Sequence, residues 1–492
     1  MKKLALAVAV PLILIGAATL YTSTQVESTA RDAVEQANLK LREMSLGAGA
    51  EARVSMLSFD RGLLSSDARY QIDVEVPDDE GNTQHYAVLV QDRLEHGPFP
   101  LSRLSRGQLM PVAAQSHLQL ERTPLTEALF VAASGEAPLR GDVAIGYDGG
   151  QHGELRSAAL NVMQEAGSVQ IAAANIRFDV ADQANTVRME GELPEVKIDL
   201  QHADSGQPVH VSLRGIELSA NKHGYASGFG QGPSAVKVER TEIRAGDQPA
   251  VVIQDASVEE VLSRGERGLD QSVAYRIGEV SARGQTFRNL ALVFRLRNLE
   301  ETSLKALLDS YKALLDSGPS QEDAIANITA AQQSELQAKT LQVLEHKPTL
   351  ALDELSFETA SGAARLALVL DLQGPSAATT SDPKMITNLI AALETDAGID
   401  RGLVRDIASL VVQHQEGDAS DPVVLQQETD AATELFSGLA IDSGWFQLQD
   451  DRLASSLRYA DDRVTLNGRE MSVQDFIGFA WSSALGAGLL GQ

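Results

Sequence analysis

Nine histidines are the first candidates for proton transfer or metal ligation. His85, His96, His117, His152, His202, His210, His223, His346 and His414 contain no H-x-x-x-H pair or other helical ligand spacing, so a metal would need ligands gathered from distant strands. The chain has no cysteine, which excludes thiolate nucleophiles, disulfides and Cys-ligated zinc or iron–sulfur centres. Neither a G-x-S-x-G elbow nor a phosphate loop ending in G-K-[ST] occurs, and no D-x-[DN]-x-[DN]-G calcium loop is present. Gly228-Phe229-Gly230-Gln231-Gly232-Pro233 lacks the full G-x-G-x-x-G spacing, and with its flanking serines it reads as a surface loop. Acid pairs such as Asp78-Asp79, Glu259-Glu260, Asp450-Asp451 and Asp461-Asp462 fall mostly at expected turns, and 68 acids make such pairs common. The chain therefore reads as non-enzymatic, with no catalytic, cofactor-binding or metal-binding residue to name.

Charge narrows the partners. Against 68 Asp+Glu stand 41 Lys+Arg, a formal charge of −27, which disfavours nucleic acid because phosphate binding relies on basic side chains releasing counterions. Arg288, Arg295 and Arg297 form a local basic strand that reads as solvated. With 43% hydrophobic residues over 492 positions, the chain can bury substantial cores, as one large β architecture or up to about three domains.

The elements that would position any site begin with an apolar rod. Lys2 and Lys3 precede Leu4 to Leu20, a stretch without charge that Tyr21 follows; as a helix it would span roughly 26 Å, close to a thin hydrocarbon core. Gly16, Ala18 and Pro11 also fit a cleaved signal. Val26, Ala30, Ala33, Ala37 and Leu41 recur at helical spacing with no intervening breaker, which favours an uncut signal anchor over residues 1–21 and a helical stalk over 22–45. The lysines hold the N-terminus in the cytoplasm and export the rest.

Over 46–300 the dominant period is two. Val196, Ile198 and Leu200 alternate with Lys197 and Asp199, and Val209, Val211 and Leu213 with His210 and Ser212, the pattern of half-buried strands. Similar runs occur at Tyr70 to Val76, Ile176 to Val180, Val273 to Ile277 and Leu290 to Leu296, separated by turn signals such as Asp148-Gly149-Gly150. The spacing predicts a long, curved antiparallel sheet with one apolar face. From 301 to 492 the pattern mixes helices with returning strands: helices over Leu304 to Leu315, Gln321 to Lys347, Lys384 to Glu394, Gly402 to Gln413 and Val423 to Gly438, and strands over Thr349 to Phe357 and Ala363 to Leu372. A hairpin-like unit, Trp445 to Leu466, is closed by Asn467-Gly468, and Ser472 caps a terminal helix. The fold class is α+β, dominated by β, behind an N-terminal membrane helix.

Three segments carry a family likeness: Ser58-Phe59-Asp60-Arg61-Gly62-Leu63-Leu64-Ser65-Ser66, then His96-Gly97-Pro98-Phe99-Pro100-Leu101, then the tail from Tyr459-Ala460 through Val464-Thr465-Leu466-Asn467-Gly468 to Met471-Ser472. With the hydrophobic start, they resemble the YdgA/YihF family of Gram-negative envelope proteins across nearly the whole chain. The resemblance implies an exported protein associated with the inner membrane, the bulk of it in the periplasm. It brings no catalytic residues and no cofactor.

His96, Gly97, Pro98, Phe99 and Pro100 are the candidate binding residues. Their default reading is a rigid, extended segment at a sheet edge, since proline removes backbone donors; the functional reading makes them a docking strip that presents His96 and Phe99. The expected function is a membrane-anchored envelope protein whose apolar sheet face holds a lipid or acyl chain. The alternative is an envelope scaffold acting through protein–protein contacts or as a homodimer.

Overall fold

Apolar–polar alternation becomes antiparallel pairing along almost every described strand. The computed structural model describes residues 38, 51–77, 83–164, 167–201, 206–225, 228–246, 248–282, 284–315, 317, 321–374, 389–416 and 421–486. The expected anchor over 1–21 lies outside them, as does the stalk over 22–45 apart from Asn38. Among the described residues no helix is long and apolar enough to cross a membrane. Contacts divide the chain into two compact units, Met1–Ala250 with Leu308–Ser334, and Val251–Leu307 with Glu335–Gln492.

In the first unit β1 (Glu51–Arg61), β2 (Ser65–Pro77), β3 (Thr83–His96), β4 (Ala114–Leu120), β5 (Leu139–Ile145) and β6 (Gln151–Ser157) pair in succession. β6 then pairs with β9 (Asn175–Ala181), β9 with β10 (Thr186–Gln201), β10 with β11 (Pro208–His223) and β11 with β12 (Gly232–Ala245). The hairpin of β7 (Leu160–Gln164) and β8 (Gly167–Ile171) joins the second half of β10. The core gathers Val54, Ile72, Val88, Val90, Val143, Leu155 and Phe178 with Phe130. Two short helices that the sequence did not signal interrupt the strands: α1 (Leu101–Ser105) and α2 (Glu127–Ala132), the latter supplying Phe130. Asn38 brackets β1, its side chain donating to the Val54 carbonyl (2.8 Å) and accepting from the Val54 N–H (2.7 Å), which satisfies backbone groups on that strand.

In the second unit β13 (Val251–Arg264), β14 (Leu269–Ala282), β15 (Gln285–Leu299), β16 (Thr349–Glu358), β17 (Ala363–Leu372), β18 (Ile390–Asp400) and β20 (Arg452–Ala460) pair in that order. β19 (Gln447–Gln449) and β21 (Arg463–Leu466) pair with β20, and β22 (Arg469–Ser472) with β21. The remaining helices among the described residues are α3 (Glu301–Leu315), α4 (Gln321–Ala326), α5 (Ala330–Glu345), α6 (Arg401–Glu416), α7 (Pro422–Asp442) and α8 (Val473–Gly486), of which residues 308–334 belong to the first unit.

Three expectations are corrected. The helix expected over Lys384–Glu394 is strand wherever the β18 range covers it: Ala392 and Leu393 face Asp371 and Leu370 on one side and Ala460 and Tyr459 on the other, so two ladders override an Ala/Leu-rich helical preference. The single helix over Gln321–Lys347 is two, because Thr329 and Gln332 form a capping box: the Gln332 N–H donates to Thr329 Oγ1 (3.3 Å) and the Thr329 N–H to Gln332 Oε1 (2.9 Å). The Trp445–Leu466 hairpin is a meander. Asp461-Asp462 turns β20 into β21, and Asn467-Gly468 turns β21 into β22; all four have positive φ, as type I′ turns require. Ser472 caps α8 as expected, accepting from the Asp475 N–H (3.2 Å).

Candidate apolar binding site

A strand alternates its faces strictly, so a 14-residue strand keeps one apolar face only if its sequence alternates throughout. These strands do not, and the backbone compensates. On one face the apolar residues run Ile253, then Ala256 and Val258 in β13; Val273, Tyr275 and Ile277, then Val280 in β14; and Phe287, then Leu290, Leu292 and Phe294 in β15. Each series contains one three-residue step. The steps lie side by side at Asp255, Gly278 and Asn289: Asp255 and Asn289 have positive φ, and Gly278 sits against the Asp255 side chain. β16 makes the same step between Leu352 and Leu355 through a register shift. Each irregularity returns the following apolar residues to the same face.

The result is a set of continuous rows. Val258, Tyr275, Leu292, Leu355, Leu366 and Ala397 stand opposite one another in sequence across six strands. The next row holds Val273, Phe294, Leu352, Leu368, Thr395 and Leu457. Half of the first row is left to solvent: Val258 is 39%, Tyr275 45% and Leu355 38% exposed. The first unit repeats the device. Leu193, Ile216 and Val238 form one row, and Val196, Leu213 and Thr241 the next. The phase step falls at Pro194 and Gly215, whose φ is +61°, where β10 changes partner from β9 to β8.

One end of the second unit's face has a roof. Leu403, Val404, Ala408 and Val412 are the buried stripe of α6, and α7 packs against it through Thr429, Thr433 and Ser437, small side chains one turn apart. Asp421 caps α7, accepting from the Val423 N–H (2.9 Å), and Pro422 occupies its first turn. Arg401 binds Glu434, and Arg405 lies 2.8 Å from Asp430. Beneath the pair lies an apolar cavity of about 320 Å³ lined by Ile399, Val404, Ile407, Val411, Phe436 and Leu453, among others. Ile399 stands opposite Leu453 in the sheet, so the cavity is floored by the same apolar face.

The residues nominated from sequence lie elsewhere. His96 ends β3 and is bound on three sides: its N–H donates to the Leu64 carbonyl (2.8 Å), Nε2 lies 2.9 Å from the buried Ser66 hydroxyl, and Nδ1 lies 3.4 Å from the Leu63 carbonyl. Gly97 is crowded, since a Cβ there would fall 1.8 Å from the Val112 carbonyl oxygen. Its N–H donates to the Ala113 carbonyl (2.8 Å), and the Val112 N–H donates to the Pro98 carbonyl (3.1 Å). The segment is thus bonded to residues 112–113 instead of lying free at an edge, and α1 starts at Leu101. Pro100 is buried and Phe99 is half exposed. Arg288 and Arg295, read as solvated from sequence, pair with Glu279 (3.1 Å) and Asp353 (2.5 Å).

One constellation escaped the sequence because its members are 15 and 25 residues apart. His117 Nδ1 lies 2.6 Å from Asp142, and Nε2 lies 3.2 Å from the Ser102 hydroxyl, the order of a nucleophile, base and orienting acid. Glu95 weighs against that chemistry. Its carboxylate accepts the Ser102 N–H (2.9 Å) and lies 3.8 Å from His117 Nε2; burial pushes its pKa up, but the Ser102 N–H and hydroxyl outweigh that and hold it below the usual value. A fixed negative charge thus sits beside the hydroxyl, where acyl transfer would need oxyanion donors. The His117 bond likewise holds the Asp142 carboxyl low. The cluster fastens α1 to β3, β4 and β5.

A family model described as "Bacterial protein of unknown function (DUF945)" matches residues 1–474. The chain is 22% identical over 482 residues to Protein YdgA of Escherichia coli (strain K12), covering 94% of this chain and 93% of that one. It is also 22% identical over 492 residues to the uncharacterized protein YihF of the same organism, covering 97% and 98%. An uncharacterized Haemophilus influenzae protein is 25% identical over 130 residues, 26% of this chain and 34% of the relative. No solved structure matches.

Proposed function

This chain belongs to the DUF945 family of bacterial proteins of unknown function, and we propose that it acts without catalysis, holding lipid acyl chains on the apolar face of its sheet. In this reading Leu4 to Leu20 anchors it in the inner membrane and the strands lie in the periplasm. The observation that carries the reading is the pair of rows in the second unit, apolar except at Thr395, kept on one face by phase steps and still half open to water at Val258, Tyr275 and Leu355. Uncovered apolar surface costs roughly 25 cal/mol per Å² relative to burial, so coordinated irregularities that line up such a face favour an occupant. The formal charge of −27 repels anionic headgroups at long range, and screening confines that repulsion to about 8 Å. Binding therefore falls to the chains.

The test is native mass spectrometry of the full-length protein released gently from membranes. Lipid adducts are expected with the parent chain and strongly reduced in Leu292→Glu and Leu355→Glu, which place charges in the middle of one row. Equal adducts in all three proteins would exclude the face as the site. A protein partner in place of lipid would favour the scaffold alternative.

A further inference from the structure

We infer that the tip formed by residues 61–66 and 97–113 rests on a bilayer surface carrying anionic headgroups. Two of the three segments that carry the family resemblance meet there, although they are 30 residues apart: the His96 N–H donates to the Leu64 carbonyl, and the Gly97 N–H to that of Ala113. Around these bonds the chain turns large apolar side chains outward. Leu63 is 98%, Leu64 72%, Leu109 71% and Met110 79% exposed, with Leu101 and Phe99 beside them. Such side chains on turns are a cluster no core explains.

The backbone under the tip is fixed. Ser66 and Pro100 are buried, Gly97 has no room for a side chain, and Glu95 and His117 hold Ser102 of α1. The tip is therefore presented without an ordering cost at binding.

Charge selects the occupant. Residues 61–66 and 97–113 contain Arg61, Arg103 and Arg106 and no acidic residue, in a chain whose formal charge is −27. Arg103 is turned inward, its Nη1 donating to the buried Gln115 at 3.4 Å; Arg106 donates through Nε to the Ser102 carbonyl (3.2 Å) and lies 3.8 Å from Asp142, which leaves Arg61 and the outer edge of the Arg106 guanidinium to meet phosphate. Leucine and methionine ringed by arginine is the chemistry of interfacial insertion, with apolar chains entering the acyl boundary and guanidiniums meeting lipid phosphates. The proposal stands independently of acyl-chain binding on the sheet.

The absence of native cysteine allows one probe at a time. The full-length protein carrying Leu64→Cys or Met110→Cys, labelled with a polarity-sensitive fluorophore, is reconstituted into nanodiscs of phosphatidylcholine alone or mixed with phosphatidylglycerol. Met163→Cys, on an exposed β7 residue, is the control. Expected are blue-shifted emission and quenching by nitroxide-bearing lipid at positions 64 and 110 in the anionic discs only, with neither change at 163. Replacing Arg61 and Arg106 by Gln weakens the effect about fivefold per arginine. Arg61→Gln alone, on an exposed strand end, serves if the double variant melts early. Aqueous emission in both lipids overturns the proposal. So does a blue shift that nitroxide lipid leaves unquenched, which would mean protein covers the tip, and so does equal quenching in both disc types.

Discussion

Asp92 is a fully buried carboxyl whose pKa the fold raises. Burial in the sheet lifts its pKa from the ordinary 3.8 to about 6, against the opposing bonds from Ser116 and the His117 backbone; the Ser116 hydroxyl donates to it at 2.7 Å. Because the folded value is the higher one, the native protein binds a proton that the unfolded chain has released between about pH 4 and 6. Stability is therefore greatest below that window, falls as pH rises through it, and is flat above, a loss on the order of 3 kcal/mol. Asp92→Asn keeps an acceptor for Ser116 and removes the charge, so chemical denaturation across pH should show the slope vanish and stability at pH 7 rise; an unchanged slope would reassign it to other acids. Gly97 is the second case. A methyl group there meets the Val112 carbonyl oxygen at 1.8 Å, and Gly97→Ala should cost about 3 kcal/mol, at the upper end of overpacking, measured as a lowered denaturation midpoint. The glycine and prolines of this segment were legible in sequence as a rigid element; its bonds to residues 112–113 were not, because a chain reading carries no partner across 15 residues.

At the scale of elements, local signals succeeded where the neighbouring residues alone decide. The Asn467-Gly468 turn, the Ser472 cap and the Leu304 to Leu315 stripe all form where composition places them. The start of β18 reads as helix because it is rich in Ala and Leu, and only pairing with β17 and β20 makes it strand. The α4–α5 break had a visible signal, Thr329 three residues before Gln332, which the Ala/Gln-rich composition around it obscured. Thr329→Ala should remove about 1 kcal/mol and show as faster amide exchange through the first turn of α5; unchanged exchange would place the break elsewhere. The phase steps were the least legible feature. The three-residue steps at Pro194, Asp255 and Asn289 separate alternating runs that each look complete. Gly215 ties one step to its neighbours, since its φ is +61° and a Cβ would meet the Glu239 side chain. Gly215→Val should therefore destabilise the first unit by about 1–3 kcal/mol in thermal or chemical melts.

Over the whole molecule, the sequence correctly announces a β-dominated chain with most helices late, and the long strands are those whose alternation was clearest. The candidate site was legible only in outline: an apolar face was expected, whereas the rows that compose it depend on register across six strands. The central claim is that these rows hold acyl chains. The most direct measurement expresses the full-length protein in bacteria fed a photoreactive fatty acid and maps cross-linked peptides after irradiation. Cross-links concentrated on the peptides that carry Val258, Tyr275, Leu292 and Leu355 are the predicted result. Cross-links confined to Leu4–Leu20, or spread over peptides from the polar faces, would contradict it.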